Sequence, residues 1–132
     1  MEQTADKDHA RAAEMARIAI EAMEDKKAED VRVLDISEVS VLADYFIIAS
    51  GKNRNQIQAM KENVEEQMEK NGFFVKHVEG YDTAHWILMD YGDVILHIFD
   101  EESRSFFDLE RIWRDGKPVA TGDGPDGGNG QR

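Results

Sequence analysis

The chain has no cysteine among its 132 residues, which excludes a disulfide framework and a zinc site built on thiolates. It also has no apolar run near the roughly 18 to 20 residues that a membrane-spanning helix needs. Its first residues are polar and acidic, without the basic and then apolar order of a signal peptide or the arginine-rich character of a transit peptide. We therefore expect a cytoplasmic protein without a membrane partner.

Basic residues are also scarce, because 16 lysines and arginines stand against 28 aspartates and glutamates, for a formal net charge of -12. Repulsion from phosphates argues against nucleic acid as the main ligand. A basic partner would be attracted instead. High net charge also keeps a protein soluble, and that plainer explanation stays open.

The length suits one domain with its own core. Apolar residues that recur at intervals of three and four predict three helices, over residues 8–26, 53–71 and 101–114. Asn53 is a good N-cap for the second helix, and Asn71-Gly72 is a good stop because glycine tolerates the left-handed conformation.

Five segments predict strands: residues 30–36, 44–50, 73–78, 84–89 and 94–99. The second is an almost continuous apolar run, typical of a central strand covered on both faces. The last two form an antiparallel hairpin. The predicted fold is an α/β domain with a mixed sheet of about five strands flanked by three helices. It spans residues 1–118, and residues 119–132 form a flexible tail rich in glycine.

The turn of the hairpin decides which side chains share a face. Trp86 and Leu88 lie on the same face in any register, because strand side chains alternate. A two-residue turn at Tyr91-Gly92 places Trp86 opposite His97, whereas a bulge at Gly92 places it opposite Leu96. Both faces of the hairpin are apolar, so three helices would leave one face crowded and the other sparsely covered.

The third predicted helix carries a core stripe of Phe106, Leu109, Ile112 and Trp113 at about 100° per residue. Phe107 falls off that stripe. We expect Phe107 to be partly exposed, which by itself is ordinary for an apolar residue.

Carboxylates near strand ends, namely Asp35, Asp44, Asp90 and Asp93, leave open a metal-dependent nucleotidyltransferase, which uses such acids to hold two metals. The plainer explanation for Asp90 and Asp93 is turn formation beside Gly92. The four histidines show no zinc-binding spacing. We therefore expect no catalytic residue, no metal ligand and no cofactor.

Several segments resemble, in the right order, the ribosomal silencing factors, also known as the RsfS, YbeB or Iojap-related family. The matching segments are Asp44 to Gly51, Gln56, Gly80, Trp86 to Phe99, and Arg104 to Trp113. The resemblance covers about residues 10–118 and implies a nucleotidyltransferase-like fold that lacks the catalytic acids.

The resemblance also implies a function. Members of this family bind ribosomal protein L fourteen on the face of the large subunit that meets the small subunit. They thereby block subunit joining and repress translation when nutrients are short, and they tend to form homodimers when free. A homodimerisation module whose hairpin serves only self-association remains a further alternative.

By the same resemblance, the docking surface lies on the hairpin and the third helix. The residues assigned to it are Trp86, Leu88, His97, Arg104, Phe107 and Glu110. The family commonly has tyrosine at the position of Phe107, so a hydroxyl contact there is lost in this chain.

Overall fold

The computed structural model describes residues 2–38, 40, 41, 43–109 and 117–119, with side chains described between residues 9 and 109. The helices are α1 (Glu2–Glu24), α2 (Arg54–Lys70) and α3 (Glu101–Phe107). The strands are β1 (Glu29–Asp35), β2 (Tyr45–Gly51), β3 (His77–Glu79), β4 (Trp86–Asp90), β5 (Val94–Asp100) and β6 (Lys117–Val119). Among these elements no helix is both long and apolar enough to cross a bilayer.

The strands form one mixed sheet in the order β3-β4-β5-β2-β1-β6. β2 and β5 are parallel, and the other neighbours are antiparallel. All seven residues of β2 are buried, which confirms the central strand that its apolar run predicts. β3 runs in the same direction as β2, and β5 and β4 lie between them.

α1 and α2 cover one face of the sheet, where most of the core lies. The apolar stripe of α2 is fully buried, as its spacing predicts: Ile57, Met60, Val64 and Met68. The side chain of Asn53 accepts a hydrogen bond from the backbone N–H of Gln56, which confirms the predicted N-cap. Gly72, at φ +86°, ends the helix in a Schellman motif, since the Phe73 N–H donates to the carbonyl of Met68.

Three predicted boundaries are corrected. β3 begins at His77 rather than at residue 73, because Phe73 still belongs to the closure of α2. α3 ends at Phe107 rather than at residue 114, because Asp108 has a left-handed backbone with φ 50° and ψ 54°. Val119, assigned to the tail from sequence, lies in β6 and pairs with Val33, so the described residues form a sheet of six strands.

The hairpin register matches neither predicted alternative, because Trp86 lies opposite Phe99 and Leu88 lies opposite His97. The turn lies one residue later than predicted: the Tyr91 N–H donates to the carbonyl of Val94, so Gly92 and Asp93 form its centre. This register differs by two residues from the one that a turn at Tyr91-Gly92 gives. A shift of two preserves the faces, so Trp86, Leu88 and His97 still share one face.

Candidate functional site

The second sheet face has a much smaller core than the first. Its buried residues are Leu34, Ile36, Ala43, Phe46, Ile48, Phe99 and Leu109, with Trp86 and Ile95 half-buried against them. Within the described part of the chain this face is packed by the seven-residue α3, while α1 and α2 lie on the other face. Among the described residues, the first face is therefore the crowded one and the second the sparsely covered one.

An aromatic platform, defined as Trp86, Phe99, Phe106 and Phe107, lies on the sparsely covered face. The Trp86 ring centroid is 5.0 Å from that of Phe99 and 4.6 Å from that of Phe107. Phe106 extends the platform with an edge contact to Phe107 at 5.1 Å. The platform therefore extends from the sheet, over α3, to the solvent-exposed surface.

Phe107 is 40% exposed, in line with its predicted position off the core stripe. Phe106 was predicted to be core, and this is wrong, because its side chain is 77% exposed. The helix breaks at Asp108, so Phe106 and Leu109 no longer share one helical face. Of these two residues, Leu109 reaches the core, at 9% exposure.

Trp86 and Leu88 are both half-buried on this face, so each presents part of its side chain to solvent. His97 is different. It is 4% exposed and lies beneath the platform, so the structure corrects its predicted place on the surface. Its Nδ1 accepts a hydrogen bond from the indole Nε1–H of Trp86 at 3.0 Å. Burial lowers the pKa of His97 from 6.5 to about 4.

Arg104 is also buried, at 8% exposure, and does not face outward as a docking residue would. Its Nη1 donates to the backbone carbonyl of Asp30 at 2.6 Å and to the Ser50 hydroxyl at 2.9 Å. These bonds join α3 to the end of the sheet at which β1 starts and β2 ends. Glu110, Ile112 and Trp113 lie outside the described residues.

Two of the four carboxylates considered for metal binding, Asp90 and Asp44, have local partners. Asp90 accepts a hydrogen bond from the Gly92 N–H at 2.7 Å, which confirms its predicted turn role. The carboxylate of Asp44 lies 3.4 Å from His9 Nδ1. Among the residues with described side chains, no three histidine, aspartate or glutamate side chains come together as a metal-binding group.

Sequence reasoning missed two contributions to this site. The first is Phe106, whose exposure depends on a helix break at an aspartate, a residue with a weaker preference than glycine for that conformation. The second is Phe99, which lies beneath Trp86 because of the hairpin register. Alternation along β5 gives the face of Phe99 but not its partner.

The fold and the platform define a class of protein, a mixed-sheet α/β domain whose thinly covered face carries an aromatic surface. Residues 9–129 match the model of a family described as "Ribosomal silencing factor during starvation". Ribosomal silencing factor RsfS of Bacillus subtilis is 43% identical over 99 residues, which are 75% of this chain and 84% of that protein. Protein Iojap of the Zea mays chloroplast is 35% identical over 95 residues, which are 70% of this chain and 40% of that protein.

Solved structures agree with these sequence comparisons. A crystal structure from Chromobacterium violaceum superposes with a TM-score of 0.76 at 32% identity, covering 86% of this chain and 95% of that one. A crystal structure from Bacillus halodurans has a TM-score of 0.74 at 34% identity, covering 83% and 99% of the two chains. This chain belongs to the ribosomal silencing factor family.

Proposed function

We propose that this protein binds the large ribosomal subunit through ribosomal protein L fourteen, blocks joining of the two subunits and so represses translation when nutrients are short. In this proposal it acts in the cytoplasm, without catalysis, and forms a homodimer when free. The observation that carries the proposal is the aromatic platform, since exposed aromatic rings on a thinly covered face are typical of protein interfaces.

The charge of the chain supports the same kind of partner. Its formal net charge is -12, which favours encounter with a basic protein and disfavours bare RNA. Steric exclusion needs affinity and shape and no reacting group. The half-buried Trp86 and the exposed Phe106 and Phe107 supply the large side chains that dominate interface energies.

The test is co-sedimentation of the purified protein with isolated large subunits. Phe106→Glu places a charge on the platform at a side chain that is 77% exposed, so folding should be little affected. Phe74→Glu is the matched control, because Phe74 is 66% exposed and lies on the connection between α2 and β3. We expect Phe106→Glu to lose binding and Phe74→Glu to keep it. Equal binding by both variants would contradict the proposed surface.

Two further measurements address the remaining parts of the proposal. Light scattering over a concentration series, with and without L fourteen, separates self-association from docking. Titration calorimetry with nucleotide and magnesium addresses catalysis, because a nucleotidyltransferase would release or absorb heat on binding both. The absence of such heat would rule out the nucleotidyltransferase alternative.

A further inference from the structure

A buried hydrogen bond joins the platform to the strand beneath it. Trp86 lies on β4 and His97 lies on β5, and the indole Nε1–H of Trp86 donates to His97 Nδ1 at 3.0 Å. The two rings are 5.9 Å apart with an interplanar angle of 43°. The histidine is buried, whereas the tryptophan is half-buried, so the bond connects the interior with the surface.

The chemistry of the pair fixes the state of both rings. An indole nitrogen can only donate, so it requires an acceptor. His97 Nδ1 accepts only when it carries no proton, which in a neutral imidazole places the proton on Nε2. A charged or opposite-tautomer imidazole would present a second donor to the indole. The lowered pKa of His97, about 4, keeps the ring neutral at physiological pH.

The imidazole is itself held in place by aromatic neighbours. The Phe46 ring meets it at 4.8 Å in an edge arrangement, and the Phe99 ring lies 6.3 Å away with an interplanar angle of 13°. His97 Nε2 is buried without a hydrogen-bond partner among the described residues. Nδ1 is therefore the nitrogen whose bond orients Trp86.

We propose that His97 is a positioning residue for docking: it holds the Trp86 indole in the orientation that the ribosomal partner meets, without touching the partner itself. This inference rests on the proposed function. His97 is buried, so in this proposal it acts only through Trp86. The Trp86 ring packs between Phe99 of the sheet and Phe107 of α3, so its orientation also sets the shape of the platform.

Two substitutions separate this role from simple packing. His97→Asn keeps an acceptor oxygen near the position of Nδ1 but loses volume. His97→Leu keeps apolar volume but has no acceptor. If packing alone matters, the asparagine variant is the more damaged of the two. If the hydrogen bond matters, the leucine variant is the more damaged.

The first readout is the indole N–H of Trp86 in protein labelled with ¹⁵N-tryptophan, assigned with Trp86→Phe. We expect its exchange with solvent to be about tenfold faster in His97→Leu than in wild type, and close to wild type in His97→Asn. The second readout is affinity for isolated large subunits. We expect it to fall about tenfold in His97→Leu and to be restored by asparagine.

The outcomes are distinguishable. Faster indole exchange in His97→Leu with unchanged binding overturns the positioning role and leaves the proposed function standing. Failure of the wild-type protein to bind large subunits overturns both. Should His97→Leu not fold, imidazole ¹⁵N shifts of the wild-type protein decide instead. A proton on Nδ1 at pH 7 overturns the inference, and a proton on Nε2 alone supports it.

Discussion

Arg104 of α3 donates to the backbone carbonyl of Asp30, where β1 begins, with 2.6 Å between Nη1 and the oxygen. Asp30 itself has a left-handed backbone at φ 55°, within an irregular stretch of the pairing between β1 and β2. The same guanidinium nitrogen contacts the Ser50 hydroxyl. One buried side chain therefore fixes the helix that carries Phe106 and Phe107 to two neighbouring strands.

Removing this guanidinium should destabilise the fold. Arg104→Met keeps most of the apolar stem but leaves a backbone carbonyl without its donor, which costs about 2 kcal/mol in the free energy of unfolding. Urea denaturation measures the change. Arg17→Met is the matched control, because Arg17 forms ion pairs with Glu14 and Glu21 on the exposed side of α1. A loss in the control as large as in Arg104→Met would contradict the assignment.

Gly80 supports Trp86 through the backbone. A Cβ at Gly80 would overlap the carbonyl oxygen of Trp86, and the glycine has φ +83°. Gly80→Ala should therefore lower the free energy of unfolding by more than about 2 kcal/mol and displace Trp86. Near-ultraviolet circular dichroism would report the altered tryptophan environment.

Gly72→Ala separates the clash at Gly80 from backbone strain. Gly72 has a similar φ of +86°, but a Cβ there meets nothing within 4 Å. We expect the control to lose only about 1 kcal/mol, the cost of the left-handed conformation. Equal losses at the two glycines would show that the approach to Trp86 is unimportant.

Sequence patterns predicted the elements that depend on residues close together in the chain. The stripe from Ile57 to Met68 marks α2 because burial follows the helical period. Trp86 and His97 share a face, as predicted, although the predicted turn was wrong. A register shift of two residues leaves every side chain on its original face.

Features set by distant contacts were not predictable in the same way. The hairpin register depends on the position of the turn, where the Asp90 carboxylate accepts from the Gly92 N–H, while the Asp90 backbone carbonyl accepts from the Lys76 N–H outside the hairpin. β6 depends on pairing with β1, more than 80 residues earlier in the chain. Sequence patterns placed Trp86 and Phe107 at least partly on the surface, as observed, but could not distinguish the buried His97 and Arg104 from surface residues, because that requires the packing around them.

Stability should depend on pH through His97. Burial lowers its pKa to about 4 in the folded protein, against about 6.5 in an unfolded chain. Between these values the unfolded state binds more protons, so this group makes stability rise with pH from 4 to 6.5 and level off above. Its neighbours in ring contact are aromatic, which agrees with desolvation as the cause.

The size of this effect follows from linkage, in which one pKa unit corresponds to about 1.4 kcal/mol. Between pH 7 and pH 5, the wild-type protein should lose about 2 kcal/mol more unfolding free energy than His97→Asn does. Urea denaturation of both proteins at the two pH values checks this, because the other titrating groups are common to both. Parallel pH profiles would contradict a neutral, buried His97.

Binding to isolated ribosomal protein L fourteen should depend on salt through the association rate. The net charge of -12 steers a basic partner towards this protein at long range, and the attraction is screened beyond about 8 to 10 Å at physiological ionic strength. We expect the association rate to fall roughly tenfold between 50 and 500 mM salt while the dissociation rate changes little. Stopped-flow tryptophan fluorescence measures both rates.

Neutralising Glu62 and Glu66 of α2 to glutamine should weaken the salt dependence of the association rate without changing the dissociation rate, because both are exposed on the helix that covers the opposite sheet face. An association rate that rises with salt would show that charge opposes docking.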